Sequence, residues 1–321
     1  MTAKNLPKKH PSLKVEVLII RKFAGIFVSI LTPFNEKNEI DYETIKSQIE
    51  FLIGKGVHGI VTCGVNGEFS SLTLNERKKV IKTTVNAVKG RVPVIAGAYS
   101  NSYKEAIDLV NYAEQCGATA ALIMRPFFFR KPTDEGVFNY FYNILEQVNK
   151  FPIFLCNLPI YKPLELKIEI IENLLQKYNN IVGIKDLSNQ TEIILKYAGM
   201  FEELSVFVGS DRAIYNGLNA GTDGAISALG NILPEFPLRI YNTYQAGNTD
   251  KAWIEQESLI GIRAVLQKFP LRAAQKFLLS KITGRESFVR PPLRNLTTEE
   301  RENLLIILNE FGLQFQEEIT V

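Results

Sequence analysis

Residues 181–188 read IVGIKDLS. The first four are strand text, branched apolar residues around a glycine, and the run ends on Lys185. Lysine is seldom buried without a partner, because its charge prefers water. A lone strand of this kind ends at the surface, with the ammonium group turned out to solvent. Whether Lys185 is a surface group or an interior one therefore depends on how many strands surround it.

The same kind of apolar run recurs along the chain. Strands are predicted over Gly25–Phe34, Gly59–Gly64, Pro93–Ala98, Ala120–Pro126, Pro152–Leu158, Ile181–Asp186, Ser205–Gly209 and Gly224–Leu229. Amphipathic segments separate them. Their starts carry capping residues: Asp41, Thr73 with Glu76, Ser102 with Glu105, and Asn189 with Glu192. Glycines at 56, 117, 221 and 247 mark their ends. Eight buried strands alternating with helices predict an α/β protein, a (β/α)8 barrel of the TIM type. An open doubly wound sheet is disfavoured, since no strand leads into GxGxxG or a Walker loop. From Asp250 the pattern is purely helical, with segments at Asp250–Lys268, Leu271–Gly284 and Thr297–Gly312. The expected organisation is an N-terminal extension (1–22), a barrel (23–248) and a C-terminal helical extension (249–321).

Composition narrows the function classes. The chain has 321 residues, 46% hydrophobic and 22% charged, in the ordinary range for a globular protein. A net charge of +3 does not argue for nucleic acid. Part of it sits in the extension, at Lys4, Lys8, Lys9, Lys14, Arg21 and Lys22. The apolar run Val15–Ile20 is too short to span a bilayer. Cys63, Cys116 and Cys156 lack metal-ligand spacing and leave an odd thiol, so reduced cysteines in a cytoplasmic protein are expected. With only His10 and His58, a histidine-based triad or metal site is disfavoured, and no metal is expected.

A barrel changes the meaning of Lys185. Chemistry in such folds gathers at the C-terminal ends of the strands, where inward side chains converge. Strict alternation places Lys185 on the face of Gly183 and Ile181, with Asp186 toward the helices and Gly183 leaving room beneath the lysine stem. Apolar surroundings disfavour the ammonium form, and a neutral amine can attack a ketone to form a Schiff base.

These motifs together resemble one family, the class I pyruvate-dependent aldolases that include N-acetylneuraminate lyase, dihydrodipicolinate synthase and 2-keto-3-deoxygluconate aldolase. The resemblance runs from GIFVSILTPF (25–34) to FVRPPLRNLT (288–297). It is carried by GVNGEFSSLTLNE (64–76), FLCNLP (154–159) and IVGIKD (181–186), with VGSD (208–211) and NAGTDGAIS (219–227) in support. It implies that Lys185 forms the Schiff base and that no metal or organic cofactor is required. It also implies that Gly64, Val65, Asn66 and Gly67 hold the carboxylate of a 2-oxo acid, for which a nest of inward N–H groups and the Asn66 amide are suited. Glu68 is equally readable as a structural carboxylate.

The chain departs from that pattern at the proton relay. The tyrosine usual on the fifth strand is Cys156, a loop hydroxyl is Val65, and an aromatic hydroxyl after the fourth strand falls within PFFFRKP (126–132), at Phe128. General acid–base help of this kind is worth about 10²–10⁴ in rate. Candidate substitutes are Tyr99, Tyr161 and Cys156 itself, with a bound water or the substrate carboxylate as other routes.

The substrate is read from two further places. Where the synthases resemble one another in an arginine after the fifth strand, this chain has Tyr161 and then Lys162. VGSD is similar to the sugar-acid branch, which implies that Asp211 contacts a substrate hydroxyl while the Gly209 and Ile226 backbone lines the pocket. The expected activity is a lyase releasing pyruvate and an aldehyde from a 2-keto-3-deoxy sugar acid. The alternatives are a Schiff-base dehydratase of such an acid, a dihydrodipicolinate synthase-type condensation, and a non-catalytic 2-oxo-acid binder. Partners are expected to be the small-molecule 2-oxo acid and further copies of the chain, a tetramer by resemblance, with no nucleic acid and no membrane.

Overall fold

The computed structural model describes residues 23–129, 131–159, 164–188, 190–200 and 203–315. The expected extension (1–22), Tyr161, Lys162 and the Asn189 cap lie outside the described residues.

Eight parallel strands close into a barrel in chain order. They are β1 (Gly25–Ser29), β2 (Gly59–Thr62), β3 (Val94–Gly97), β4 (Ala120–Met124), β5 (Ile153–Asn157), β6 (Ile181–Asp186), β7 (Ser205–Val208) and β8 (Gly224–Ser227). The intervening helices are α1 (Tyr42–Gly54), α2 (Leu74–Val88), α3 (Tyr103–Cys116), α4 (Asp134–Gln147), α5 (Ile168–Leu175), α6 (Thr191–Met200), α7 (Ile214–Asn219) and α8 (Glu235–Gln245). The C-terminal run forms α9 (Thr249–Leu266), α10 (Leu271–Thr283) and α11 (Thr298–Glu310). The predicted fold class and the three terminal helices are found. β6 has its predicted bounds, and the other seven strands are shorter than predicted: β1 stops at Ser29, although Ile30–Phe34 continue as buried backbone.

Local signals explain the helix starts. Asp41 accepts the N–H groups of Glu43 and Thr44, and Thr73/Glu76 and Thr297/Glu300 form complete capping boxes. Ser102 caps α3, but Glu105 completes no box because its carboxylate takes the Ser100 hydroxyl, at 2.7 Å. The ring closes between β1 and β8, where Gly25 pairs with Gly224 and Phe27 with Ile226. A Cβ on Gly224 would lie 2.0 Å from the Gly25 carbonyl oxygen, so position 224 admits no side chain.

Strand residues are buried on both faces, as a parallel barrel requires. The outer faces pack Val28, Ile60, Ile123, Leu155, Ile184 and Val206 against the helices. The interior holds Phe27, Val61, Ile95, Leu122, Phe154 and Phe207. Phe23 packs edge-on against Phe154 at 5.1 Å, and its N–H donates to Ser205 Oγ.

One strand breaks the expected alternation. The β5–β6 register passes from Ile153↔Ile181 directly to Phe154↔Gly183, so β6 carries an extra residue, Val182. Ile181 therefore joins the outer cluster and Val182 the inner one. The expected face shared by Lys185 and Ile181 is corrected accordingly. Nor is there free space at Gly183: the Phe154 ring fills it, 2.2 Å from where a Cβ would stand.

Candidate active site

Lys185 lies on β6 beside Cys156 of β5 and Phe207 of β7. It is 4% exposed, so it is no snorkelling surface group. Burial pulls its pKa below the ordinary lysine value, while negative charge on Cys156 or Asp211 would pull it back up. Among the described residues no carboxylate reaches ion-pair distance of its nitrogen. Gly209 makes room for the stem, since a Cβ there would stand 2.8 Å from Lys185 Cε. On the next residue, Asp186 points outward as expected. It accepts hydrogen bonds from Asn157 and from the Ser188 N–H and hydroxyl, and burial raises its pKa.

Cys156 is fully buried and inward-facing. Burial pushes its thiol up and the Lys185 charge draws it down. Tyr99, just past β3, belongs to the same inner cluster and has no exposed surface. Its ring packs edge-on against Phe69 at 4.9 Å. Its hydroxyl faces Cys156, but the contact falls short of hydrogen-bond geometry, leaving the oxygen without a partner among the described residues. An orphaned buried hydroxyl costs about 1–3 kcal/mol. Burial above all, then Cys156, holds the Tyr99 pKa well above the usual phenol range.

The glycine loop crosses the C-terminal end of β1. A Cβ on Gly64 would lie 2.6 Å from Ser29 Oγ, and one on Gly67 2.9 Å from the Ile30 carbonyl oxygen. The N–H groups of Val65, Asn66 and Gly67 make no hydrogen bond to the described residues, which leaves them available to an anion. The Val65 side chain packs on the inner cluster. Asn66 differs from expectation: its amide donates to the Ser29 carbonyl at 3.0 Å, so at most its second hydrogen can serve a ligand. Glu68 is structural. It makes a 2.6 Å ion pair with Lys276 of α10, both side chains buried, and accepts the Arg290 N–H at 3.2 Å.

Asp211 is 3% exposed, and its carboxylate is committed to the turn after β8. It accepts from the Ser227 hydroxyl and from the Ala228 and Leu229 N–H groups, at 3.3 and 3.1 Å. Ile226 faces the interior beneath it. Phe128, at the place of the family's aromatic hydroxyl, is 76% exposed, whereas its neighbour Phe127 packs on Phe69 at 5.5 Å.

Lys185, Cys156, Tyr99, Gly209 and Ile226 are thus gathered at one end of the barrel. Sequence reading missed Ser29, whose buried hydroxyl under Gly64 has no partner among the described residues, and Arg77, whose guanidinium holds the Gly97 and Tyr99 carbonyls at 3.0 and 2.7 Å. For Ser29 a signal existed: a polar residue at a strand end, two positions from inward Phe27. Arg77 looks like any helical arginine in the sequence. A cavity of about 710 Å³ lies elsewhere, in the helix layer between α4, α5 and α6, and Lys185 does not line it. No group of three or more His, Cys, Asp or Glu side chains among the described residues is placed to hold a metal. No described helix is long and apolar enough to cross a membrane.

Fold and site together define a (β/α)8 enzyme built around a buried, strand-end amine, as in aldolases that work through a lysine imine. The chain belongs to the dihydrodipicolinate synthetase family, whose model matches residues 22–311. Members of this family are carbon–carbon lyases of the class I aldolase type, which bind pyruvate through a lysine imine without a metal. The 4-hydroxy-tetrahydrodipicolinate synthase of Methanococcus aeolicus is 35% identical over 297 residues, 90% of this chain and 99% of that protein. The synthase of Nitrobacter hamburgensis is 32% identical over 277 residues, 86% of this chain and 92% of its own length. Among solved structures, YagE is a prophage protein of the same family from E. coli K12, in complex with pyruvate. It is 28% identical, covers 91% of this chain and 99% of its own, and superposes with a TM-score of 0.83.

Proposed function

We propose that Lys185 condenses with a 2-oxo acid of the pyruvate class and that the enzyme cleaves a 2-keto-3-deoxy sugar acid to pyruvate and an aldehyde. The observation that carries the reading is the buried, unpaired Lys185 amine at the mouth of the barrel, with its pKa lowered by burial. The neutral amine adds to the ketone, water leaves, and the protonated imine takes up the bonding pair released when C3–C4 breaks. The carboxylate of the 2-oxo acid sits against the N–H groups of the 64–67 loop, with the Ser29 hydroxyl beneath. The choice of a neutral, hydroxyl-bearing aldehyde over a second acid rests on two features. In the sequence Tyr161 replaces the arginine that follows the fifth strand in the synthases, and the buried Asp211 carboxylate repels a second acid group. A second reading, condensation of the pyruvate imine in the manner of 4-hydroxy-tetrahydrodipicolinate synthase, is supported by the names of the two curated relatives above.

Incubation with pyruvate followed by borohydride tests the imine. A stable mass increase mapping to Lys185 is expected, and no label with pyruvate or any sugar acid would refute it. Turnover then separates the readings. Pyruvate release from 2-keto-3-deoxygluconate marks the lyase, and loss of pyruvate only in the presence of aspartate semialdehyde marks the condensation. Water loss without fragmentation would mark a dehydratase, and label without turnover a binder.

A further inference from the structure

The barrel interior contains a phenol that none of the described residues satisfies. Tyr99 follows Gly97, whose ladder partner is Leu122, and so stands level with Met124. Met124 pairs with Cys156 and Cys156 with Lys185. Tyr99, Met124, Cys156 and Lys185 therefore form one row of inward side chains across four neighbouring strands, at the end of the barrel where the amine lies. The Tyr99 hydroxyl is fully buried and without a partner among the described residues. Its placement is firmly set: Arg77 bonds the carbonyls on both sides of it, at Gly97 and Tyr99, and Phe69 packs against the ring. A buried hydroxyl this well positioned and this poorly satisfied is one whose partner arrives with the ligand.

We propose that Tyr99, reaching in from the third strand, is the catalytic proton carrier of this enzyme, with Arg77 as its positioning residue; the proposal rests on the Lys185 imine reading. In imine formation the Tyr99 O–H protonates the departing carbinolamine hydroxyl. The C–O bond breaks, water leaves, the nitrogen lone pair closes the C=N bond, and a protonated imine faces a phenolate. In cleavage the phenolate takes the C4 hydroxyl proton. The C4–O pair closes the aldehyde C=O, the C3–C4 pair becomes the enamine double bond, and the C=N π pair returns to nitrogen. The regenerated phenol then protonates C3 of the enamine. Hydrolysis of the pyruvate imine by water returns the last proton to the phenolate and frees the amine. High phenol basicity suits this role, because the group must rest as an acid and ionise only beside the positive imine.

Exchange of the pyruvate methyl protons in D2O, followed by NMR, reads the C3 transfer without any second substrate. Wild-type enzyme is expected to catalyse exchange, and Tyr99→Phe to lower its rate by about 10²–10⁴. Borohydride label on Lys185 should still accumulate in that variant on long incubation. Because the hydroxyl makes no hydrogen bond to the described residues, the melting temperature of Tyr99→Phe should stay level or rise. Exchange within about threefold of wild type overturns the proposal, as does a melting temperature that falls with the rate, which would mark a structural tyrosine. Wild-type label without exchange overturns the relay and leaves the imine standing. Neither label nor exchange in the wild type refutes the imine itself.

Discussion

Lys185 owes its chemistry to two neighbours and a lack of space. In the proposed reaction the neutral amine is the nucleophile, so trapping by borohydride should speed up as pH rises through the lowered pKa and level off below the ordinary lysine value of 10.5. Asp211 favours the ammonium form, so Asp211→Asn should move the rising limb to lower pH. A pH profile of the trapping rate checks both. Gly209→Ala would set a Cβ 2.5 Å from Leu187 Cγ and 2.8 Å from Lys185 Cε. Overpacking of this kind costs about 1–3 kcal/mol, and displacement of the stem should cut trapping at least about tenfold. Lys185 and the glycine loop were legible from sequence because their motif text is local. Asp211 was legible as a residue but not in its bonds: its donors Ser227, Ala228 and Leu229 come from a different strand end.

Elements join the site to the outer helices through a buried pair. Lys276 on α10 meets Glu68 on the glycine loop and also donates to the Phe288 carbonyl at 2.8 Å. Removing one member leaves the other charge buried and alone, so Lys276→Met should cost about 3–5 kcal/mol, and adding Glu68→Gln should recover part of it. Chemical denaturation of the two variants measures this. Burial brings the Lys276 pKa to about 8 from 10.5, even against the pull of Glu68. The folded chain therefore releases that proton before the unfolded chain does. Between about pH 8 and 10.5 the unfolded state binds more protons, and this group's contribution to stability rises with pH. The stability difference between wild type and Lys276→Met should accordingly widen from pH 8 to pH 10. Capping patterns revealed the starts of α1, α2, α3 and α11, because a cap is a contact within four residues. The extra residue in β6 was invisible, since Ile181 and Val182 are equally apolar and only pairing with β5 assigns each a face.

The closed barrel couples ligand binding to global stability. Pyruvate bound to the folded chain alone stabilises by about 2.7 kcal/mol at a hundredfold excess over Kd. Scanning calorimetry should show a rise in melting temperature with pyruvate in the wild type and none in Lys185→Ala. The tetramer implied by resemblance is checked by light scattering, four copies being the expected assembly.

Periodicity, strand count and motif order determined the barrel, the terminal helices and the place of Lys185 at a strand end, because each is written in residues close in sequence. Only the tertiary structure decided that Glu68 is a strut, that Asn66 turns to Ser29, and that Tyr99 rather than exposed Phe128 brings its ring into the barrel. Those outcomes depend on which strand ends face each other across the closed ring, and that closure joins residues as distant as Gly25 and Gly224, which no local pattern encodes.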